Sequence, residues 1–178
     1  MIKKWEIVDS KIDKDYRIFR VRVDAARSPR TNRINEFYSL ESNSWVNVIP
    51  ITPAGEVVMI RQYRHGIRET SLEIPGGLVE GEDPRSAALR ELAEETGYEG
   101  TAVSLLGKVS PNPALFDNLC YTYLVEGARK THNLNLDASE DIEVDLVPLV
   151  RIPSLIAEGR INHALVIAAF YFYLNRKA

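Results

Sequence analysis

Residues 90–97, with the sequence RELAEETG, decide how the rest of this chain is interpreted. At 100° per residue, Glu91, Glu94 and Glu95 lie within about 100° of one another around a helix. Each like-charge pair at this spacing disfavours the helix by about 0.2–0.5 kcal/mol, so something should offset the charge. A divalent cation is one candidate, because carboxylate oxygens suit hard ions such as Mg²⁺ and Mn²⁺. A solvated acidic face paired with arginines is the other.

The helix that carries these glutamates is predicted over residues 84–96. Asp83 can serve as its N-cap, a proline follows at the first helical position, and Gly97 can end it in a left-handed conformation. Ala87 and Ala88 lie one turn before the acids on the same side. We therefore expect the acidic face to be small and open.

Composition places the chain among ordinary globular proteins. It has 178 residues, 45% apolar and 26% charged, which fits one domain, with or without an appendage. Its net charge of −3 gives no positive field for nucleic acid. The single cysteine, Cys120, excludes an intrachain disulfide, and the most apolar stretch, residues 164–174, is too short to span a bilayer. We expect a cytoplasmic protein that binds neither nucleic acid nor membranes.

The basic residues are unevenly distributed. Ten of the 22 lysines and arginines fall in the first 33 positions. A solvated strand face is one interpretation of this basic segment. The other is that some of its arginines reach a phosphorylated ligand.

Hydrophobic patterning predicts a mixed α+β chain. After the central helix, a short helix begins at Pro153 and ends near Gly159, and a last helix runs from about Asn162 to Asn175. Strands are predicted within residues 5–24 and at 36–41, 45–52, 56–64, 101–109, 119–127 and 142–149.

The segment GGLVEGEDPRSAALRELAEETGY, residues 76–98, resembles the Nudix box, G-x5-E-x7-R-E-U-x-E-E-x-G-U, where U is aliphatic. Eight positions fall in register: Gly76, Glu82, Arg90, Glu91, Leu92, Glu94, Glu95 and Gly97. Tyr98 stands at the final aliphatic position. Counted from Gly77, the second glycine of the PGG phrase, the loop is one residue short.

This resemblance implies the Nudix fold, an α/β/α sandwich with a mixed β-sheet between helices, preceded by an antiparallel strand region. Residues 46–178 would form the hydrolase domain and residues 1–45 a region for dimerisation and base binding. Related enzymes are homodimers whose N-terminal strands cross to the partner. Arginines of the basic segment could then line the partner's site.

The resemblance also implies hydrolysis of a nucleoside diphosphate linked to another moiety, with Mg²⁺ as cofactor or Mn²⁺ in its place. Glu91 and Glu95 would be the principal metal ligands, with Glu94 close by or bridging a further ion. The carbonyl oxygen of Gly76 would complete the metal site. Glu94 and Arg90 would belong to the catalytic site, Arg90 by orienting the loop and the helix.

Arg90 is expected to orient them through an internal ion pair with Glu82. The loop LDASEDIEV, residues 136–144, resembles the segment that supplies the catalytic carboxylate in one branch of the family. Glu140 is our choice of general base, with Asp137 and Asp141 as neighbours that could take the role.

That branch comprises pyrophosphatases of ADP-ribose and other nucleotide sugars. The segment RQYRHGIRETSLEIPGG, residues 61–77, resembles the strand and loop that precede the box there. Arg64 would meet the diphosphate, and Glu73 would lie near the terminal ribose or the metals. A proline past the box matches Pro113, with Pro111 as the alternative.

Recognition of the nucleobase is expected from aromatic side chains of the N-terminal region. Bases stack on aromatic faces with about 1–3 kcal/mol each. Phe37, Tyr38 and Trp45 are the candidates, and any of them could be a core residue instead.

The leading hypothesis is a Mg²⁺-dependent pyrophosphatase that cleaves ADP-ribose, GDP-mannose or a similar substrate to a nucleoside monophosphate and a sugar phosphate. A second is a Nudix hydrolase for another diphosphate, such as a dinucleoside polyphosphate or an oxidised nucleotide. A third is a ligand sensor that kept the fold without the chemistry. The intact glutamates of the box favour the enzymes.

Overall fold

A computed structural model of the chain describes residues 1–137 and 140–176. These residues form two compact units. The first contains residues 1–43 and 110–119. The second contains residues 44–109 and the described part of the chain from residue 120 onward.

The strands follow one another in chain order and are numbered accordingly. They are β1 (Glu6–Tyr16), β2 (Phe19–Arg27), β3 (Ile34–Glu41), β4 (Trp45–Ile51), β5 (Glu56–Arg64), β6 (Glu69–Glu73), β7 (Tyr98–Glu99), β8 (Ala102–Val109), β9 (Cys120–Glu126), β10 (Arg129–Lys130) and β11 (Ile142–Pro148). The α-helices are α1 (Pro84–Thr96), α2 (Ile152–Ala157) and α3 (Ala164–Leu174), and a 3₁₀ turn at Leu149–Arg151 precedes α2.

The first unit is built on an antiparallel three-stranded sheet in the order β1-β2-β3. Every residue of β1 is exposed, and the buried apolar positions of the sheet, Val23 and Ala26, lie on β2. A sheet of three strands with little covering has a small core of its own.

The second unit is built on a mixed six-stranded sheet in the order β11-β5-β4-β9-β8, with β6 also paired to β5. Strands β4 and β9 run parallel, and the other pairs are antiparallel. Strand β7, which directly follows α1, pairs with β10 in a separate two-stranded antiparallel sheet.

Two hydrophobic clusters cover the two faces of this sheet. One packs α1 against β4, β5 and β9 through residues such as Val46, Val58 and Leu92. The other packs α2 and α3 through residues such as Ile49 and Phe170. The second unit is therefore an α/β/α sandwich, and the predicted α+β class is confirmed.

Local predictions agree closely with these elements. The predicted helix at 84–96 is confirmed to the residue, and Cys120 is a buried free thiol on β9. Three strands were missed: β6, whose sequence ETSLE is mostly polar, and β7 and β10, which have two residues each. The last helix begins at Ala164, two residues later than predicted. No helix in the described part of the chain is long and apolar enough to cross a membrane.

Candidate active site

Helix α1 is fixed at both ends by the residues that the sequence indicates. The Asp83 carboxylate accepts hydrogen bonds from the backbone N–H groups of Arg85 (3.0 Å) and Ser86 (3.2 Å). At the other end Gly97 adopts φ +72°, and its N–H donates to the Ala93 carbonyl at 2.8 Å. These caps satisfy groups that a helix end leaves without intrahelical partners, so the position of each glutamate along α1 is well defined.

The expectation that the helix face before the acids is open is wrong. Ala87 and Ala88 are fully buried and belong to the hydrophobic cluster between α1 and the sheet. Small side chains let the helix backbone approach the sheet closely, and this approach brings Glu91 and Glu95 toward the interior.

The three glutamates have different environments. Glu95 is 3% exposed and Glu91 9%, whereas the side chain of Glu94 is 37% exposed. Burial is the main cause that raises the pKa of Glu95 to about 8; the hydrogen bond from the Gly76 N–H opposes the rise, and the charges of Glu91 and Glu140 add to it. Burial also raises the pKa of Glu91, against the lowering effect of Arg90. Two buried carboxylates that resist ionisation are the central feature of this site.

The PGG phrase before the box lies beside β4. The carbonyls of Pro75 and Gly77 accept hydrogen bonds from the N–H groups of Val48 (2.8 Å) and Val46 (2.9 Å). The N–H of Gly76, which lies between them, donates instead to Glu95 Oε2 at 2.9 Å. In an extended chain the N–H and C=O of one residue point to the same side, so the Gly76 carbonyl also points away from β4.

Gly77 lies against the carboxylate of Glu91. A Cβ atom at this position would occupy the place of that carboxylate, so the Glu91 side chain would have to shift.

Arg90 is the centre of an ion-pair network on the outer side of α1. Its guanidinium group donates to Glu82 (3.0 Å), to Glu94 (2.9 Å) and to the Leu78 carbonyl (3.1 Å), and it lies 3.0 Å from Glu91. The predicted Glu82–Arg90 ion pair is present. These carboxylates raise the pKa of Arg90 although burial opposes the change. Arg90 thus ties the loop to the helix and offsets part of the negative charge.

Arg64 and Glu73 form a bidentate pair next to this cluster. Arg64 Nε donates to Glu73 Oε1 at 2.8 Å and Nη2 donates to Oε2 at 2.6 Å. Burial raises the pKa of Glu73, but the hydrogen bonds and charge of Arg64 outweigh it and the net shift is downward. The Glu73 side chain is 3% exposed and that of Arg64 is 42% exposed, so N–H groups of Arg64 outside the pair can still meet a ligand.

Glu140 makes two hydrogen bonds with Asp137. Its N–H donates to the Asp137 carbonyl at 2.9 Å, and its Oε2 accepts the Asp137 N–H at 3.0 Å. Positions 138 and 139 of the same predicted loop lie outside the described residues. The charge of Glu140 raises the pKa of Arg64, Glu91 and Glu95, so its carboxylate lies within electrostatic range of all three.

A hard divalent cation fits the groups assembled here. No three His, Cys, Asp or Glu side chains among residues 1–137 and 140–176 converge closely enough to hold an ion as they stand, and Glu91 and Glu94 are both paired with Arg90. A cation would nevertheless compensate the buried charge of Glu95, which has one N–H partner. The carboxylate oxygens of Glu91 and Glu95 and the Gly76 carbonyl are the oxygen donors that Mg²⁺ prefers.

The remaining candidates belong to the first unit, apart from Trp45, which begins β4. Phe37 and Tyr38 lie on β3 with exposed rings, and Phe37 makes an edge contact with Trp5 at 5.2 Å between ring centroids. Pro113 lies in an exposed turn of the segment 110–119. Their roles in binding stay predictions.

Two residues near the site carried no signal in the sequence. Among the described residues, the buried Nδ2 of Asn47 and the buried Nδ1 of His163 have no hydrogen-bond partner. Asn47 lies against Gly76, and His163 lies within electrostatic range of Glu73 and Arg64. Burial lowers the pKa of His163. No local pattern links these residues to the box, because they are brought to it by the fold.

Comparison with known proteins places this site in a family. The model of the NUDIX domain matches residues 43–170. A methanol dehydrogenase activator from Bacillus methanolicus is 37% identical over 164 residues, 89% of this chain and 87% of that protein. An ADP-ribose pyrophosphatase from Bacillus subtilis (strain 168) is 30% identical over 135 residues, 75% and 73% of the two chains.

A solved structure of an ADP compounds hydrolase has the same fold, with a TM-score of 0.86 at 23% identity, covering 97% of this chain and 94% of the other. The chain belongs to the Nudix family, and it is a Nudix hydrolase.

Proposed function

We propose that this hydrolase cleaves the diphosphate bond of a nucleoside diphosphate sugar to a nucleoside monophosphate and a sugar phosphate. ADP-ribose is the first candidate substrate and GDP-mannose the second, with Mg²⁺ as cofactor and Mn²⁺ as its substitute. The observation that carries the proposal is the pair of buried carboxylates, Glu91 and Glu95, set against the backbone of the PGG phrase. Arg90 compensates Glu91 in part, and a metal cation beside both carboxylates would stabilise the pair as two anions.

The substrate class is supported by one relative and one side chain. The relative from Bacillus subtilis is an ADP-ribose pyrophosphatase. The side chain is Arg64, whose half-exposed guanidinium group can bind phosphate oxygens with two parallel hydrogen bonds.

In the mechanism, Glu91, Glu95 and the Gly76 carbonyl would hold the ion, with Glu94 close by. When bound, the ion would neutralise the diphosphate and favour ionisation of the attacking water. Arg64 orients the diphosphate. Glu140 accepts the proton of the water at the carboxylate oxygen that the Asp137 N–H leaves open.

The proposal also assigns base binding and dimerisation to the N-terminal part of the chain. In this proposal, residues 1–45 form the region for dimerisation and base binding, and residues 46–178 form the hydrolase domain. Phe37 and Tyr38 stack on the base, and Pro113 lies in a loop that contacts the substrate. We propose a homodimer, because β1 is exposed along its whole length and ends the sheet as an unpaired edge. The single buried thiol of Cys120 agrees with a cytoplasmic location.

A substrate panel tests the proposal. The purified protein is incubated with Mg²⁺ and with ADP-ribose, GDP-mannose, a dinucleoside polyphosphate or an oxidised nucleotide, and a phosphatase then converts the monophosphate products to inorganic phosphate. We expect ADP-ribose to give the highest kcat/KM and a chelator to abolish release. Glu95→Gln should lower kcat by about 100-fold or more without changing the circular dichroism spectrum. Binding of ADP-ribose without cleavage of any substrate would favour the sensor instead.

The relative from Bacillus methanolicus favours a second candidate function. It is a methanol dehydrogenase activator, and it matches most of this chain at 37% identity. The hydrolase would then also raise the activity of a dehydrogenase. To test this, the activity of a methanol dehydrogenase is measured with the wild-type protein or with Glu95→Gln added. Activation by the wild type but not by Glu95→Gln would show that the activation depends on the hydrolase site.

A further inference from the structure

The last turn of α1 is bound by the chain segment that follows β10. The Gly97 carbonyl accepts two hydrogen bonds, from the N–H groups of Thr131 (2.9 Å) and His132 (3.1 Å). The Glu94 carbonyl accepts a third, from the N–H of Asn135 at 2.9 Å. Carbonyls at a helix C-terminus lack intrahelical partners, and here a distant segment supplies them. We call these three hydrogen bonds the clasp.

Gly97 is adapted to the clasp as well as to the helix end. Its φ of +72° favours glycine, and a Cβ atom there would also clash with the carbonyl oxygen of His132. The other glycines with positive φ, Gly55, Gly81, Gly127 and Gly159, have only the first property. Gly159, for example, also has φ +72°, but a Cβ atom there would meet nothing within 4 Å.

The clasp is followed closely by Asp137, the residue that is hydrogen-bonded to Glu140. Asp137 is two residues beyond Asn135, a distance that the chain spans with about 7 Å at most. Its carbonyl and N–H hold Glu140 through the two hydrogen bonds described above. The path from α1 to the Glu140 carboxylate therefore runs through the hydrogen bond of Asn135, two residues of chain and the hydrogen bonds between Asp137 and Glu140.

We propose that the clasp positions Glu140 over the metal-binding face of α1, with Gly97 and Asn135 as positioning residues. The proposal rests on the proposed function, in which Glu140 is the general base. Because the same helix carries Glu91 and Glu95, the clasp fixes the start of the base loop relative to the metal ligands. A general base is effective only within hydrogen-bond reach of the attacking water, so small displacements of the loop reduce kcat.

The test compares matched pairs of variants with ADP-ribose as substrate. Asn135→Pro removes the N–H donor, whereas Asn135→Ala keeps it. Gly97→Ala introduces both backbone strain and the clash with His132, whereas Gly159→Ala introduces the strain alone. We expect Asn135→Pro and Gly97→Ala to lower kcat by about 10–100-fold with KM within about twofold of wild type. The matched controls, Asn135→Ala and Gly159→Ala, should lower kcat far less. Glu140→Gln, as reference, should lower kcat by about 100-fold or more.

Amide hydrogen exchange of the metal-free protein gives a readout that is independent of activity. The amides of Thr131, His132 and Asn135 should be protected in wild type and in Gly159→Ala, and exchange faster in Gly97→Ala, with the amides of β4 unchanged. Inactivity of the wild-type protein would refute the proposed function, while exchange would still test the clasp.

Three results would overturn the positioning role. The first is a wild-type kcat in Asn135→Pro and the second a wild-type kcat in Glu140→Gln. The third is an equal loss of kcat in Gly97→Ala and Gly159→Ala.

Discussion

At the scale of single residues, the three glutamates on α1 differ in how far their negative charge is compensated. Glu94 turns outward to Arg90, and Glu91 shares the same guanidinium group. Glu95 is the most buried and has the weakest compensation, a single N–H from Gly76. The unfavourable negative charge that the sequence indicates is therefore least compensated at Glu95.

The buried and weakly compensated carboxyl group of Glu95 predicts how the stability of the metal-free protein depends on pH. The pKa of Glu95 is raised from 4.5 to about 8 on folding, so its contribution to stability is complete below about pH 4.5 and is lost as pH rises through 8. Between pH 6.5 and 8, measured by urea unfolding with a chelator, the free energy of unfolding of wild type should fall by about 1–2 kcal/mol more than that of Glu95→Gln. Mg²⁺ should restore stability most at the higher pH, because it displaces the proton.

Glu94→Gln is the matched control for that measurement. It removes a carboxylate from the same helix, but one that is more than a third exposed and paired with Arg90. We expect it to keep the pH dependence of wild type. Equal slopes for wild type and Glu95→Gln would show that Glu95 does not retain its proton in the folded state.

At the scale of elements, the two long helices of the second unit stabilise it in different ways. Helix α1 is held by its caps, by Arg90 and by the clasp, and its buried apolar side chains are small apart from Leu92. Helix α3 has no side-chain cap and depends on packing, with Val166, Ala169 and Phe170 buried in one cluster.

The dependence of α3 on packing gives a direct prediction. Phe170 is fully buried, so Phe170→Ala should lower the free energy of unfolding by about 3–5 kcal/mol. Its neighbour Tyr171 is 64% exposed, and Tyr171→Ala should change it by about 0.5 kcal/mol or less. Urea unfolding followed by circular dichroism measures both.

Phe170→Leu extends the comparison if the alanine variant does not fold. It keeps most of the apolar volume and should cost about 1–2 kcal/mol. If Tyr171→Ala lowered the free energy of unfolding as much as Phe170→Ala, helix propensity and not core packing would hold α3 in place.

At the scale of the whole molecule, the chain distributes its apolar surface unequally. The second unit has large buried clusters on both faces of its sheet, whereas β1 of the first unit exposes Ile7, Val8, Ile12 and Tyr16 along an unpaired edge. Exposed apolar edges of this length are usually covered by another chain. A second copy of the protein is the partner that we propose.

Charge on β1 should therefore weaken self-association. Ile7→Asp and Ile12→Asp should each raise the dimer dissociation constant, measured by sedimentation equilibrium, by about tenfold or more. Leu105→Asp is the control, because Leu105 is similarly exposed on β8 of the second unit. A monomeric wild type, or an equal effect of all three substitutions, would contradict the homodimer.

Prediction from the sequence was accurate where the signals are local. The bounds of α1, its caps and the Glu82–Arg90 ion pair depend on residues within one or two turns, and all are present. Strand β6 was missed because its polar sequence forms a strand only through pairing with β5. The open face expected beside Ala87 and Ala88 was wrong, because burial depends on the sheet that packs there.

The sequence by itself determined the spacing of the acids, the helix that carries them and the family to which they belong. Only the tertiary structure decided that Glu95 is buried more deeply than Glu94, that Arg64 pairs with Glu73, and that a segment near residue 135 binds the end of α1. The physical reason is range. Caps and helical spacing act over a few residues of chain, whereas desolvation and long-range hydrogen bonds depend on which distant segments the folded core brings together.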